Sequence, residues 1–141
     1  MPNEKEIAFI LSHKVARFAT ADKFGKPLVV PICYAYDGEY IYSPIDAKPK
    51  KESGRKLKRI RNIEENSNVS LVIDEYHDDW SKLCYVIIHG TAELIEGGEE
   101  YERAIKLLCE KYHQYVEMQL PKLNLPLIKI TPTQVISWSA I

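Results

Sequence analysis

The chain has 141 residues, and its 19 lysines and arginines nearly balance 20 acidic residues, which gives a formal net charge of -1. This balance argues against a general nucleic-acid binder, which needs a broad excess of positive charge, and no apolar run is long enough to span a membrane. We therefore expect a cytoplasmic globular protein with a single domain over residues 1–141, large enough to bury a core without disulfide or metal staples.

The N-terminal region shows the signals of a helix and a strand. Asn3 followed by Glu6 resembles a capping box, so a helix is predicted over about residues 4–13. The sequence "VARFATA" then predicts a strand over residues 15–21, and the polar residues after it predict a turn.

A second strand and a hairpin follow this turn. The strand is predicted over residues 28–36, where Pro31 marks an edge or a bulge because proline donates no backbone hydrogen bond. Asp37 and Gly38 then predict a type I′ hairpin turn, which leads into a strand over residues 39–43.

The basic segment, residues 43–63, concentrates the positive charge of the chain. It holds eight lysines and arginines between residues 48 and 61, with one acidic residue among them. Prolines and a glycine in its first part predict a loop. Leu57, Ile60 and Ile63 recur at three-residue intervals, which predicts a helix that stops near Asn66.

The basic segment is a candidate anion site, because the N–H groups and the dipole at a helix start attract negative charge. A phosphate group is the ligand that this segment is expected to bind. The alternative, a solvated helix face with mobile lysines, agrees equally well with the sequence. The candidate ligands are the hydroxyl of Ser43, the loop lysines Lys48, Lys50 and Lys51, and Lys58 and Arg59 in the first turns of the helix.

The rest of the chain predicts further strands and one long helix. Strands are predicted over residues 69–76 and 83–96, the second bent at Gly90. An apolar stripe predicts a helix over residues 99–118, and two hairpin-like strands are predicted on either side of Pro132. With six or seven strands joined mostly by hairpins, we predict a mainly β fold, an antiparallel barrel with helices outside.

The residue types that commonly carry catalysis form no recognisable motif. The histidines lack metal-ligand spacing, and the run from His77 to Asp79 is typical of a solvated loop, so no metal site is predicted. His89 is interpreted as a structural histidine, and the catalytic residues are left unassigned.

Trp80 lies in a polar loop, and its indole is interpreted as a flat surface that contacts the planar ring of a ligand. Such a protein either only binds a ligand or lets a cofactor carry the chemistry.

The order of these signals resembles a known family. The run "ATADKFGKPLVVPICYAYDGEYIYS", the basic helix ending "NIEENSNVSLVID", and "YVIIHGTAELI" together resemble the flavin-binding split-barrel proteins of the pyridoxamine 5'-phosphate oxidase-like superfamily. "KPKK" and "DDWSKL" most resemble its branch that uses coenzyme F420. The resemblance implies an antiparallel split β-barrel of Greek-key type with flanking helices. It also implies a homodimer that binds FMN or coenzyme F420 between its subunits.

The resemblance also implies roles for individual residues. Ser43 matches a position that contacts phosphate. The family has a basic pair a few residues further on, which matches Lys48 in one sequence alignment and Lys58 and Arg59 in another. The sequence does not decide between these two alignments. The positions that match the strand along the flavin ring are Pro31 and Ile32.

Tyr85 and Ile87 depart from the oxidase itself, which has a glutamine and an arginine on the matching strand. The departure argues against oxidation of pyridoxamine phosphate. We expect an oxidoreductase that transfers hydride between coenzyme F420, or FMN, and an unknown small substrate, without nucleic-acid or membrane partners. The alternative is a carrier or sensor that binds the flavin or deazaflavin and turns over no substrate.

Overall fold

The computed structural model describes residues 1–45 and 57–140. Its helices are α1 (Glu4–Ser12), α2 (Lys58–Glu65), α3 (Gly98–Lys111), α4 (His113–Glu117) and α5 (Leu120–Leu123), with a short 3-10 turn at Trp80–Lys82. None of these described helices has the length and apolar character needed to cross a membrane. Its strands are β1 (Ala16–Ala21), β2 (Pro27–Ile32), β3 (Ala35–Tyr36), β4 (Ile41–Pro44), β5 (Asn68–Glu75), β6 (Cys84–Ile95) and β7 (Leu127–Ser139).

The described strands form one antiparallel sheet in the order β2-β1-β5-β6-β7-β4-β3. β7 joins the two parts of the sheet, because its first residues pair with β4 while its whole length pairs with β6. One face of the curled sheet encloses the main core, and a second cluster packs α3 against β3, β4 and β7. The predicted fold class, a mainly β antiparallel split barrel with flanking helices, is confirmed.

The N-terminal helix α1 begins at the predicted capping box. Oδ1 of Asn3 accepts a hydrogen bond from the backbone N–H of Glu6 at 2.8 Å, and Oε1 of Glu6 accepts one from the N–H of Asn3 at 2.9 Å. The helix buries Ile10, whose carbonyl accepts the hydroxyl of the fully buried Tyr34 at 2.6 Å. A buried tyrosine needs such a partner, so this bond fixes α1 on the barrel.

The single helix predicted over residues 99–118 is wrong, because the helix is interrupted at Tyr112. This residue has extended backbone angles, φ -123° and ψ 105°, and its ring is buried. Its hydroxyl donates to the carbonyl of Lys14 at 2.6 Å and accepts from the backbone N–H of Tyr34 at 3.0 Å. These buried bonds hold Tyr112 outside helical geometry, so tertiary packing overrides the helical periodicity.

The prediction of two separate C-terminal strands is also wrong, because β7 runs unbroken through Pro132. A register shift between His89 and Gly90 of β6 places Gly90 opposite Pro132. A Cβ atom on Gly90 would lie 2.2 Å from the carbonyl oxygen of Thr131, so only glycine fits there. The irregularity predicted at Gly90 is confirmed, and it lets β7 continue past a proline.

The turn between β3 and β4 contains the predicted aspartate and glycine but is not of type I′. Gly38 has a φ of +99°, whereas Asp37 is not among the described residues with positive φ. Oδ1 of Asp37 instead accepts hydrogen bonds from the N–H groups of Glu39 and Tyr40 at 2.8 and 2.7 Å. The aspartate side chain therefore shapes this turn, and a positive φ at Gly38 is sufficient to reverse the chain.

β2 lies at one edge of the sheet, which is the position that Pro31 predicts for it. Pro31 pairs with Arg17 of β1. Proline is tolerated at an edge because an edge strand can lack an N–H group without leaving a partner strand unpaired.

Gly90→Ala should destabilise the protein by about 3 kcal/mol or more, because the new Cβ must push β6 and β7 apart. Urea unfolding followed by circular dichroism measures this loss. The matched control is Gly25→Ala on an open turn with a φ of +83°, where backbone strain alone costs about 1–2 kcal/mol. Equal losses for the two variants would contradict the close approach at Gly90.

Candidate anion-binding site

The start of α2 carries positive charge, as the sequence predicts. Lys58 and Arg59 are the first two residues of the helix, and its first turn contains no acidic residue. Leu57, which precedes the helix, offers no side-chain hydrogen bond to the first backbone N–H groups. N–H groups without a side-chain cap, the helix dipole and two cationic side chains therefore act together, and this arrangement suits a phosphate group.

Lys58 extends toward the turn between β1 and β2. Its Nζ lies 3.8 Å from Oδ2 of Asp22, and its side chain is 43% exposed. The pKa of Asp22 is lowered chiefly by the hydrogen bond from the backbone N–H of Lys26, and further by the N–H of Phe24 and the charge of Lys58. The Asp22 carboxylate thus mainly shapes the turn. The long, exposed contact leaves the Lys58 ammonium available to a second anion.

Buried contacts hold α2 against β1. The side chain of Asn62 is fully buried, and its Nδ2 donates to Oγ1 of Thr20 at 3.0 Å. Ile63 joins the main core, and Oε1 of Glu65 accepts the backbone N–H of Lys23 at 3.1 Å. The cations at the start of α2 are therefore fixed relative to the β1–β2 hairpin.

The two β2 residues expected beside a flavin ring lie on opposite faces of the sheet. Pro31 is exposed, and Ile32 is buried in the main core. A ring on the outer face of β2 would therefore contact Pro31 and its exposed neighbour Val29, and only the backbone of Ile32.

The other predicted site residues are not brought together with α2 by any described contact. The hydroxyl of Ser43 donates to the carbonyl of Cys33 at 2.8 Å, and the residue is 1% exposed. Trp80 is 69% exposed in its 3-10 turn, with Nε1 3.5 Å from the hydroxyl of Tyr76. The loop lysines of the prediction lie outside the described residues: Lys48, Lys50 and Lys51.

A cavity with a mixed polar and apolar lining, which the sequence did not indicate, lies on the outer face of the sheet. Its volume is about 360 Å³, and it is lined by residues of β1, β2, β5, β6 and β7. Two of them, Ser70 and His89, face each other across β5 and β6, with Oγ and Nδ1 2.6 Å apart. Only the strand register reveals this pair. Within the described parts of the chain, no cluster of His, Cys, Asp or Glu could hold a metal ion.

The fold agrees with the result of sequence comparison. The family model for pyridoxamine 5'-phosphate oxidase matches residues 3–139. Because this match spans nearly the whole chain, the protein belongs to that family. No curated protein matches the sequence significantly.

Solved structures with the same fold cover almost the whole chain. The conserved hypothetical protein Rv2991 of Mycobacterium tuberculosis is 26% identical, with a TM-score of 0.75 over 99% of this chain and 86% of that one. HutZ, the heme storage protein of Vibrio cholerae, is 20% identical, with a TM-score of 0.75 over 99% and 95%. A FAD-binding protein of Mesorhizobium loti is 19% identical, with a TM-score of 0.74 over 97% and 94%. The last two establish a shared fold only.

Asp22→Asn should lower stability at pH 7, and its effect should shrink as the pH falls below 3.8. The sign follows from the lowered pKa in the folded state, because such a carboxylate stabilises the protein when ionised and loses this contribution on protonation. Urea unfolding at pH 7 and pH 3 measures the difference, with Asp78→Asn in an exposed loop as control. A loss of equal size at both pH values would show that the charge of Asp22 is irrelevant.

Proposed function

We propose that the protein is an oxidoreductase that transfers hydride between a bound FMN or coenzyme F420 and a small organic substrate. Membership of the pyridoxamine 5'-phosphate oxidase family and the likeness to a FAD-binding protein support a flavin-type cofactor. The observation that carries the proposal is the start of α2, which lacks a side-chain cap and bears two cations. The cofactor supplies the hydride chemistry when bound, and the protein binds and orients it.

In this proposal, Lys58, Arg59 and the backbone at the start of α2 hold the phosphate of the cofactor. The lysines Lys48, Lys50 and Lys51 precede the first residue of the helix by seven to ten positions and belong to the same proposed site. Ser43 is less suited, because its hydroxyl already donates to the Cys33 carbonyl. The number of cations favours coenzyme F420, because its anionic tail can engage more of them than the single phosphate of FMN.

The outer face of the sheet is the proposed homodimer interface. The register aligns one row across the strands, Pro31, Arg17, Val72, Ile87 and Ile136. Ile136 is 39% exposed, and Val29 in the adjacent row is 60% exposed. Exposed apolar side chains that share one face are typical of a protein interface. We propose that two chains pair there and that the cofactor lies at the margin of the paired faces.

The proposed substrate differs from pyridoxamine phosphate. The ring of Tyr85 stacks on Trp138 with 5.7 Å between the centroids, and Ile87 lies two residues further along β6 on the same face. These side chains offer an apolar, aromatic surface where the oxidase offers a glutamine and an arginine. A substrate without a phosphate group suits this surface better, since an apolar surface cannot compensate the desolvation of a dianion.

Absorption spectra of the purified protein with each cofactor test the proposal directly. We expect the protein to retain FMN or coenzyme F420 through gel filtration. With dioxygen removed, the reduced cofactor should be reoxidised only when a suitable organic acceptor is added. Retention of a cofactor without turnover of any acceptor would instead support the carrier or sensor. Retention of neither cofactor would refute both.

Lys58→Ala should weaken binding of the retained cofactor about ten-fold, because it removes one charge-assisted contact to phosphate. Fluorescence titration measures the dissociation constant. Lys106→Ala, which removes an exposed lysine of α3, is the matched control and should bind as the unmodified protein does. Equal affinities for the two variants would place the phosphate elsewhere.

Ile136→Arg should convert a dimer into a monomer and release the cofactor, because it buries a charge in the proposed interface. Light scattering coupled to gel filtration measures the mass. Phe24→Arg adds the same charge on a turn where the side chain is 85% exposed, and it should leave the dimer intact. A dimer that survives Ile136→Arg would exclude this face as the interface.

A further inference from the structure

A half-buried lysine at the end of α3 lies against two tyrosine rings. Nζ of Lys111 is 3.8 Å from the centroid of the Tyr34 ring and 5.4 Å from that of Tyr112. The Tyr34 residue is 0% exposed, so the lysine side chain helps to cover its ring. This position removes much of the water that surrounds an ordinary lysine.

The surroundings of Lys111 are held in place by hydrogen bonds from three parts of the chain. The Tyr112 hydroxyl donates to the carbonyl of Lys14 at 2.6 Å, and the Tyr34 hydroxyl donates to the carbonyl of Ile10 at 2.6 Å. Nζ of Lys14 donates to the carbonyl of Lys111 itself at 2.6 Å. The second ammonium is therefore fixed near the first and cannot withdraw without breaking this bond.

The tyrosine rings favour the ammonium form of Lys111 through cation–π contacts, but the charged groups around it do not. Burial and, to a smaller extent, the positive charge of Lys14 together lower the pKa of Lys111 to about 8, against a smaller opposing effect of Cys33. Burial also raises the pKa of Tyr34 and brings that of Tyr112 to about 12, so both tyrosines are neutral at pH 8. No carboxylate of the described residues forms an ion pair with Lys111.

We propose that Lys111 is a covalent modification site that reacts with short-chain acyl thioesters. The lone pair of Nζ attacks the acyl carbon, the C–N bond forms as the C–S bond breaks, and the thiol leaves with the proton that the amine gives up. The product is a neutral amide. Acylation thus removes the charge next to Lys14 and ends the cation–π contact with Tyr34.

The advantage of Lys111 over an ordinary lysine can be estimated. At pH 7.5 an amine with a pKa near 8 is about one-quarter deprotonated, against about 0.1% for an ordinary lysine. The weaker base is also the weaker nucleophile, which offsets about ten-fold of this difference. The cation–π contact with Tyr34 favours the ammonium form and offsets about a further two- to five-fold. A net advantage of about five-fold in rate remains.

The test treats the intact protein with S-acetyl-N-acetylcysteamine, a small acyl thioester, at pH values from 6 to 10. Peptide mass spectrometry then measures acetylation of each lysine. We expect Lys111 to react about five-fold faster than the exposed Lys106 of the same helix at pH 7.5, with a rate that levels off above pH 8. A rate for Lys111 no greater than that for Lys106 at pH 7.5 would overturn the proposal.

A variant tests the electrostatic part of the proposal. Lys14→Met removes the neighbouring ammonium and should raise the pKa of Lys111, so that its pH–rate curve shifts upward and its rate at pH 7.5 falls several-fold. Lys122→Met, on α5, removes a lysine that is exposed and should leave the curve unchanged. A curve that Lys14→Met does not move would show that the like charge does not activate Lys111, and it would overturn this part of the proposal.

Discussion

The pairing of β7 with β6 and β4 is the constraint on which the rest of the structure depends. Among the described strands, β3 and β4 join the sheet only through the first residues of β7, where Leu127, Ile128 and Ile130 are almost fully buried. The same strand continues along β6 for its whole length because Gly90 absorbs the register shift opposite Pro132. Without this shift, the proline would interrupt the ladder, and the part of β7 after Pro132 would lose its pairing with β6.

The proposed cofactor site depends on this barrel for its geometry and not for its charge. The buried bond from Asn62 to Thr20 ties α2 to β1, and the turn shaped by Asp22 lies beside Lys58. Lys58 and Arg59 are neighbours in sequence, but the orientation of their helix is set by contacts with β1, a strand some forty residues earlier. The family supplies the cofactor class, and the start of α2 supplies the reason why a phosphorylated cofactor would be retained.

Local signals in the sequence predicted much of the fold, and long-range contacts account for what they missed. Spacing of apolar residues was sufficient for α2, and Pro31 was sufficient to indicate an edge strand. The long C-terminal helix failed because the Tyr112 hydroxyl bonds to residues about eighty and a hundred positions away, which no local periodicity records. The functional residues show the same difference. The positions of Lys58 and Arg59 at a helix start could be predicted from the local sequence. The Ser70–His89 pair could be recognised only from the strand register, and the contact of Lys111 with Tyr34 only from the packing.

The two prolines of β2 bear on how molecules of this protein can associate. Pro27 and Pro31 are two of the six residues of the edge strand, and neither has an amide hydrogen. A strand from another molecule would find an incomplete set of donors along this rim, which makes it a poor template for fibril-like growth. The broad side of the sheet, by contrast, keeps its apolar patches. The β2 edge therefore disfavours extension into a polymer, which agrees with the closed pair proposed above.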